Sequence, residues 1–170
     1  LQGSATLGLE IVEYLKLINT KIDNLLISVG GGGLISGVSS YIKQFYPKIK
    51  IIGVEPENAN GLNQSLRANK PLNNVNVNSI ADSLSAPLHM QYSFDVAKEV
   101  IDEMVTVSDD QMKKFMVFCY KKFKLFLEPA CVAGLAALKY KINTKLMGKN
   151  TLVILCGSNI DKKTWSDLTN

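Results

Sequence analysis

The sequence predicts an α/β fold in which a parallel sheet is flanked by helices on both faces. Apolar runs alternate with helical patterns along the chain, and such alternation is typical of parallel sheets. The runs 25–29 and 151–156 are almost continuously apolar, as expected when helices cover both faces of the sheet. We expect a single domain over residues 1–170, because this length suffices for one sizeable core.

The individual elements follow from local patterns. Apolar residues recur at helical spacing in the first segment, and the four strands are short apolar runs. A capping box, Ser108-Asp109-Asp110-Gln111, opens one helix, and Pro129 opens the next. A polar, Asn-rich connector over 69–79 is followed by an irregular stretch over 80–92. The predicted helices are 5–19, 34–46, 58–68, 93–101, 109–126 and 129–141, and the predicted strands are 25–29, 50–54, 104–107 and 151–156.

The junction between the first strand and the second helix consists of four consecutive glycines, Gly30 to Gly33. Glycines allow backbone N–H groups to approach a phosphate closely, and the N-terminus of the following helix favours negative charge. A tight turn without a ligand would need only one or two glycines. The run of four therefore favours a phosphate site.

Two common phosphate motifs do not match this loop. A P-loop needs Gly-Lys-Ser/Thr, whereas the chain has Gly33-Leu34-Ile35. The dinucleotide fingerprint also lacks its last glycine. However, Glu55 follows the next strand, 22 residues after Gly33, where a dinucleotide-binding unit carries its ribose-binding acid. A nicotinamide-dependent oxidoreductase therefore remains an alternative at this point.

Three chemically interesting segments follow predicted strands. They are the glycine loop, Glu55 and the segment Cys156-Gly157-Ser158-Asn159. Ligands of parallel sheets bind beyond the carboxyl ends of the strands. We therefore expect these segments to form one site.

Composition argues against several classes of protein. The net charge is +4 and the lysines are scattered, whereas a nucleic-acid surface needs a denser basic stripe. No apolar stretch is long enough to span a membrane. The three cysteines, Cys119, Cys131 and Cys156, form no metal-binding pattern, and their sparse use fits a reducing compartment such as the cytoplasm. His89 is the only histidine, and we interpret it as a surface or loop residue.

Five short sequence blocks, taken together in their order along the chain, resemble those of one family. The chain is similar to the threonine/serine dehydratase and serine racemase group of fold-type II pyridoxal-phosphate (PLP) enzymes. The resemblance covers essentially the whole chain and implies a truncated form of the tryptophan synthase β-like PLP fold. The blocks are Ser28-Val29-Gly30-Gly31-Gly32-Gly33-Leu34, Gly53-Val54-Glu55-Pro56, Ser79-Ile80-Ala81-Asp82, Leu127-Glu128-Pro129-Ala130 and Leu155-Cys156-Gly157-Ser158-Asn159-Ile160-Asp161.

The resemblance implies a cofactor site. Cys156 would face the pyridine nitrogen, where its weakly acidic thiol would leave the ring nitrogen neutral. Glu128 would lie close to the cofactor ring, and Ser83 stands where the group commonly has glycine. The residues that would hold the cofactor phosphate are Gly30, Gly31, Gly32 and Gly33, together with the amide of Leu34.

The resemblance also implies a divalent-cation site for Mg²⁺ or Ca²⁺. Its ligands would be Glu55 and the carbonyl of Ala59. The aspartate that completes the set in racemase-like members is replaced by Gly61, so one hard oxygen ligand is missing. A role for Glu55 in capping or in an ion pair is an equal alternative.

The implied activity is an ammonia-lyase reaction that converts threonine or serine to a 2-oxo acid and ammonia. In this family the Schiff-base lysine and the substrate-carboxylate loop lie in the first half of the enzyme. No lysine of this chain matches the motif around that lysine, so we assign no catalytic residue. We expect the chain, which begins at Leu1, to be the C-terminal half of a dehydratase, inactive alone and homodimeric.

Three alternatives remain at this stage. Serine racemase is a close variant, because both reactions pass through removal of the α-proton. A nicotinamide-dependent oxidoreductase fragment would use the glycine loop and Glu55. A non-catalytic binding or assembly module is conceivable because the lysine is absent.

Overall fold

The computed structural model describes residues 1–169 and confirms the predicted α/β class. Four parallel strands form one sheet in the order β3-β2-β1-β4. The strands are β1 (Asn24–Ser28), β2 (Lys50–Pro56), β3 (Glu103–Val107) and β4 (Thr151–Val153). The helices are α1 (Gln2–Leu17), α2 (Gly33–Phe45), α3 (Gly61–Ala68), α4 (Gln91–Val100), α5 (Asp109–Phe123), α6 (Pro129–Tyr140), α7 (Asn143–Leu146) and α8 (Lys162–Thr169), and Asp82–Leu84 form a 3₁₀ turn.

Helices cover both faces of the sheet, as the apolar strands predict. Along β1, Leu25 and Ile27 belong to the core cluster that includes α1, α2 and α4. Leu26 lies between them in sequence and packs instead with Ile142 and Leu146. It therefore belongs to the opposite face, which α6 and α7 cover. Successive strand residues point to opposite faces, so one fully buried strand supplies two cores.

Several predicted boundaries shift, and β4 differs most. The prediction of a strand over 151–156 is too long, because pairing with β1 ends at Val153, opposite Leu26. The amide of Ile154 still donates to the Leu26 carbonyl at 3.1 Å, and further along the carbonyl of Gly157 accepts a hydrogen bond from the amide of Glu128 at 3.4 Å. This contact directs the end of β4 toward the start of α6.

The helix signals identified in the sequence are present. Ser108 and Gln111 form a reciprocal capping box at the start of α5, and Pro129 occupies the first turn of α6. Helix α5 ends at Phe123 rather than 126, because Lys124 adopts a left-handed conformation with φ of 58°. The short helices α7 and α8 and the 3₁₀ turn are additional to the predicted elements.

Two glycines allow α1 and α2 to pack closely. A Cβ atom on Gly8 would lie 2.8 Å from the Val38 carbonyl oxygen and 3.0 Å from the Tyr41 Cβ. On α2, a Cβ atom on Gly37 would lie 2.7 Å from the Ser4 Cβ. Since α2 begins in the glycine loop, this packing also fixes the helix that carries the candidate site.

Among residues 1–169, no helix combines the length and the apolar character that a transmembrane segment requires.

Candidate functional site

The glycine loop presents free backbone amides at the start of α2. Gly32 is the N-cap, has φ of 82° and supplies no side-chain cap. The first hydrogen bond of this turn runs from the Ser36 amide to the Gly32 carbonyl at 3.0 Å. The amides of Gly33, Leu34 and Ile35 therefore have no partner within the helix. Such a terminus attracts an anion through both its N–H groups and the helix dipole.

The loop opens into a cavity of about 290 Å³. It brings together the sequence-predicted loop and Cys156, together with Ser83 and Glu128. The hydroxyl of Ser28, which also lines the cavity, is buried and has no hydrogen-bond partner among the described residues. A larger groove of about 640 Å³ lies between α1 and β4, but none of the predicted site residues lines it. The chemistry therefore points to the smaller cavity.

The carboxylate of Glu128 packs closely against Gly157, the residue that follows Cys156. A Cβ atom on Gly157 would overlap the carboxylate of Glu128, so glycine is needed next to Cys156. Desolvation by the surrounding protein atoms raises the pKa of the Cys156 thiol, and the nearby charge of Glu128 raises it further. The cavity therefore holds a neutral thiol at neutral pH.

The pKa of Glu128 is itself raised. Burial is the largest cause, the charge of Asp82 adds to it, and a hydrogen bond from Ser83 opposes both. Ser83, on the 3₁₀ turn, is thus linked to the Glu128 carboxylate, which lines the cavity. The sequence identifies Ser83 as a departure from the family, and the structure places it at the cavity wall.

Glu55 is not part of this cavity. It is 1% exposed, and its two carboxylate oxygens accept hydrogen bonds from the amides of Leu62 at 2.8 Å and Asn63 at 2.9 Å. It therefore caps α3, and because this buried carboxylate does not line the cavity of the glycine loop, it is not placed for the ribose-binding role considered from the sequence. The cation site at Glu55 and Ala59 stays a prediction. Within residues 1–169 no three His, Cys, Asp or Glu side chains are grouped as a metal site would require.

The buried position of Glu55 predicts a pH-dependent stability. Burial raises its pKa from 4.5 to about 7, although the amides of Asn63 and Leu62 lower it in part. Between pH 4.5 and pH 7, Glu55 binds a proton more readily in the folded chain than in the unfolded chain. The contribution to stability is therefore complete below pH 4.5 and is lost as the pH rises through 7, by about 3 kcal/mol.

Urea unfolding from pH 4.5 to 8 tests this expectation by comparing the wild type with Glu55→Gln, which stays neutral throughout. The free energy of unfolding of the wild type should fall relative to the variant as the pH rises. A difference that does not change with pH would contradict a raised pKa for Glu55.

His89 lies in a loop, as the sequence interpretation allows, but it is not a surface residue. The residue is only 3% exposed, and its Nε2 lies 3.2 Å from the carbonyl oxygen of Gly30. Burial lowers its pKa, and the contact with Gly30 opposes that change. The two residues are 59 positions apart, and no local pattern signals their contact. The histidine is therefore a buried neighbour of the glycine loop rather than a surface residue.

Comparison with known proteins identifies the family. Residues 1–157 match the family described as "Pyridoxal-phosphate dependent enzyme", so this chain belongs to the family of PLP-dependent enzymes. It is 39% identical over 164 residues to the phenylserine dehydratase of Ralstonia pickettii, covering 96% of this chain and 49% of that protein. The chain thus spans about half the length of the curated relatives that it matches.

Two solved structures give the same result. The processed threonine deaminase isoform 2 of Solanum lycopersicum superposes with a TM-score of 0.89 at 34% identity, covering 98% of this chain and 48% of that one. Maize serine racemase superposes with a TM-score of 0.85 at 30% identity, covering 98% and 52%. The fold is that of fold-type II PLP enzymes, and the cofactor of the family is PLP.

The residues present in the cavity fit this cofactor. The free amides at the start of α2 suit a phosphate, and the unpartnered Ser28 hydroxyl can donate to one. On Gly33 a Cβ atom would meet nothing within 4 Å, which leaves open space beside the amides. The neutral thiol of Cys156 lies in the same cavity, as the chemistry of a weakly polarised pyridine ring requires.

Proposed function

We propose that this chain is the cofactor-binding part of a PLP-dependent ammonia-lyase acting on β-hydroxy amino acids such as threonine, serine or phenylserine. The observation that carries the proposal is the single cavity that joins the glycine loop to Cys156. The dehydratases and deaminases among its relatives support the reaction class. Membership of a PLP family and the capping of α3 by Glu55 argue against binding of NAD.

The chain's own residues would bind and orient the cofactor. The amides of residues 30–34 would hold its phosphate, and Cys156 would meet its ring nitrogen. When bound, PLP delocalises negative charge from the α-carbon of an amino acid, which permits loss of a β-hydroxyl. A neutral thiol donates its proton only weakly, so Cys156 would leave the ring nitrogen unprotonated, and this would favour prompt loss of the β-hydroxyl.

The proposal includes a second part of the enzyme. Among the described residues that line the cavity none is a lysine, and covalent PLP chemistry needs an amine. We propose that the amine and the substrate-carboxylate site come from the remaining half of the family fold, and that the complete enzyme is a homodimer. The three free cysteines support a reducing compartment such as the cytoplasm.

Activity measurements test this function. A chimera joins this chain to the part of the Ralstonia pickettii phenylserine dehydratase that it does not match. We expect the chimera to release a 2-oxo acid and ammonia from threonine, serine or phenylserine, because the amine is then supplied. The isolated chain should release neither. Robust turnover by the isolated chain, or a folded but inert chimera, would contradict the proposal.

The same assay separates lyase from racemase. Serine racemases occur among the structural neighbours, and racemisation would give D-serine instead of a 2-oxo acid. We expect the 2-oxo acid to dominate, and chiral analysis of the product alongside a keto-acid assay measures the ratio.

A further inference from the structure

His89 contacts the glycine loop from outside the cavity. Its side chain does not line the cavity, yet its Nε2 is 3.2 Å from the carbonyl oxygen of Gly30, the first residue of the loop. A carbonyl oxygen only accepts hydrogen bonds, so Nε2 carries the proton and donates it. The bond is partly buried, and shielding from water strengthens a hydrogen bond.

The bond to Gly30 is the main polar contact of the imidazole, because the other ring nitrogen, Nδ1, has none within residues 1–169. Nδ1 is buried and has no hydrogen-bond partner among the described residues. A buried polar atom without a partner costs free energy. A purely apolar side chain of similar size would avoid that cost, so the histidine needs a compensating contact to be favourable here. The bond to Gly30 is the one that the structure provides.

Two further contacts hold His89 in place, one through its backbone and one through its ring. Its backbone amide donates to the carbonyl of Leu72 at 3.1 Å. A Cβ atom on Gly61 would lie 2.7 Å from its Cε1, so the ring packs against the first residue of α3. These contacts anchor His89 to the connector and to α3, and through it they reach the glycine loop.

Gly30 is also confined on the side of the 3₁₀ turn. A Cβ atom there would lie 3.0 Å from the Ser83 carbonyl oxygen and 3.1 Å from the Leu84 Cα. The turn therefore limits where the Gly30 Cα can lie, while His89 fixes the direction of its carbonyl. The direction of that carbonyl sets the orientation of the peptide group that enters the loop, and hence of the amides that follow.

We propose that His89 is a positioning residue that orients the phosphate-binding glycine loop by donating a hydrogen bond from Nε2 to the Gly30 carbonyl. The inference rests on the proposed function, because it assigns the loop to the cofactor phosphate. The side chain of His89 does not line the cavity. Its effect should therefore concern the phosphate and not the pyridine ring.

Three variants test this role. His89→Phe keeps a ring but removes the donor, and His89→Gln restores a donor near the position of Nε2. Leu146→Ala is the control, because Leu146 is buried in a core cluster on the other face of the sheet and its truncation lowers stability away from the loop. All variants are studied as the full chain under conditions where each is folded.

The first measurement needs no ligand. Backbone ¹⁵N relaxation reports the order parameters of the loop amides. We expect those of residues 30–34 to fall from about 0.85 toward about 0.6 in His89→Phe. In His89→Gln and in Leu146→Ala they should stay near the wild-type values, because the donor is present in both.

The second measurement compares binding of pyridoxine 5′-phosphate with that of pyridoxine. Neither probe has an aldehyde, so surface lysines cannot capture it. His89→Phe should lower the affinity for the phosphate ester about threefold to tenfold, which corresponds to one lost hydrogen bond. The affinity for pyridoxine should not change. His89→Gln should recover most of the affinity, and Leu146→Ala should match the wild type.

The outcomes separate the two proposals. Loop order parameters in His89→Phe that equal those of the wild type would overturn the positioning role, whether or not a probe binds. An equal loss of affinity for both probes, or in Leu146→Ala, would overturn it too. Failure of the wild-type chain to bind pyridoxine 5′-phosphate would count against the proposed function, and the order parameters would still decide the role of His89.

Discussion

Replacing Gly32 with valine should weaken binding of pyridoxine 5′-phosphate about tenfold to a hundredfold. Gly32 has φ of 82° and caps α2 at the cavity, a conformation that a β-branched residue strongly disfavours. The strain costs about 1–3 kcal/mol, and the loop can relieve it only by turning its amides away from the phosphate. Calorimetric titration of the folded variant measures the loss.

Gly148 provides a matched control for this substitution. It has φ of 75°, and a Cβ atom on it would meet nothing within 4 Å. It lies between α7 and β4 and does not line the cavity. Gly148→Val should therefore lower the free energy of unfolding by a similar amount without changing affinity. Equal losses of affinity in the two variants would show that strain, and not the loop, determines binding.

Replacing Gly8 with leucine should lower the free energy of unfolding by about 3 kcal/mol or more. Even a Cβ atom there would lie 2.8 Å from the Val38 carbonyl oxygen, which belongs to the backbone of α2 and cannot move aside alone. The leucine must therefore separate α1 from α2. Urea unfolding measures the loss, and a lower affinity for the phosphate ester should accompany it because α2 begins in the glycine loop.

The control for this prediction lies on the same helix. A Cβ atom on Gly3 would meet nothing within 4 Å, and leucine is a better helix former than glycine. Gly3→Leu should therefore leave the free energy of unfolding unchanged or raise it slightly. If Gly8→Leu were as stable as Gly3→Leu, the close packing of α1 on α2 would be wrong.

The positions of site residues that come directly after a strand could be predicted from the sequence. The glycine loop and Cys156 are far apart in the chain, but each follows a strand of the sheet, and carboxyl ends of parallel strands share one edge. These two segments meet in one cavity as expected, whereas Glu55, the third segment expected there, does not line it. Likewise, the capping box at Ser108 and the proline at 129 mark helix starts because those signals are local.

The contacts that sequence patterns do not show are those that depend on packing. The contact of His89 with Gly30 depends on how the irregular stretch folds over the loop. The capping of α3 by Glu55 requires a side chain from the end of β2 to reach amides seven and eight residues later. The early end of β4 depends on the contact between Gly157 and Glu128. None of these has a periodic or motif signature.

The most direct test of the central claim is to titrate the isotopically labelled chain with pyridoxine 5′-phosphate and to follow each backbone amide by NMR. The account predicts saturable shifts that are largest for Gly31, Gly32, Gly33 and Leu34, with a smaller shift at Cys156, and no such shifts with pyridoxine at the loop. Saturable shifts centred outside this cavity, or a spectrum that does not change, would contradict the assignment of the glycine loop to the cofactor phosphate.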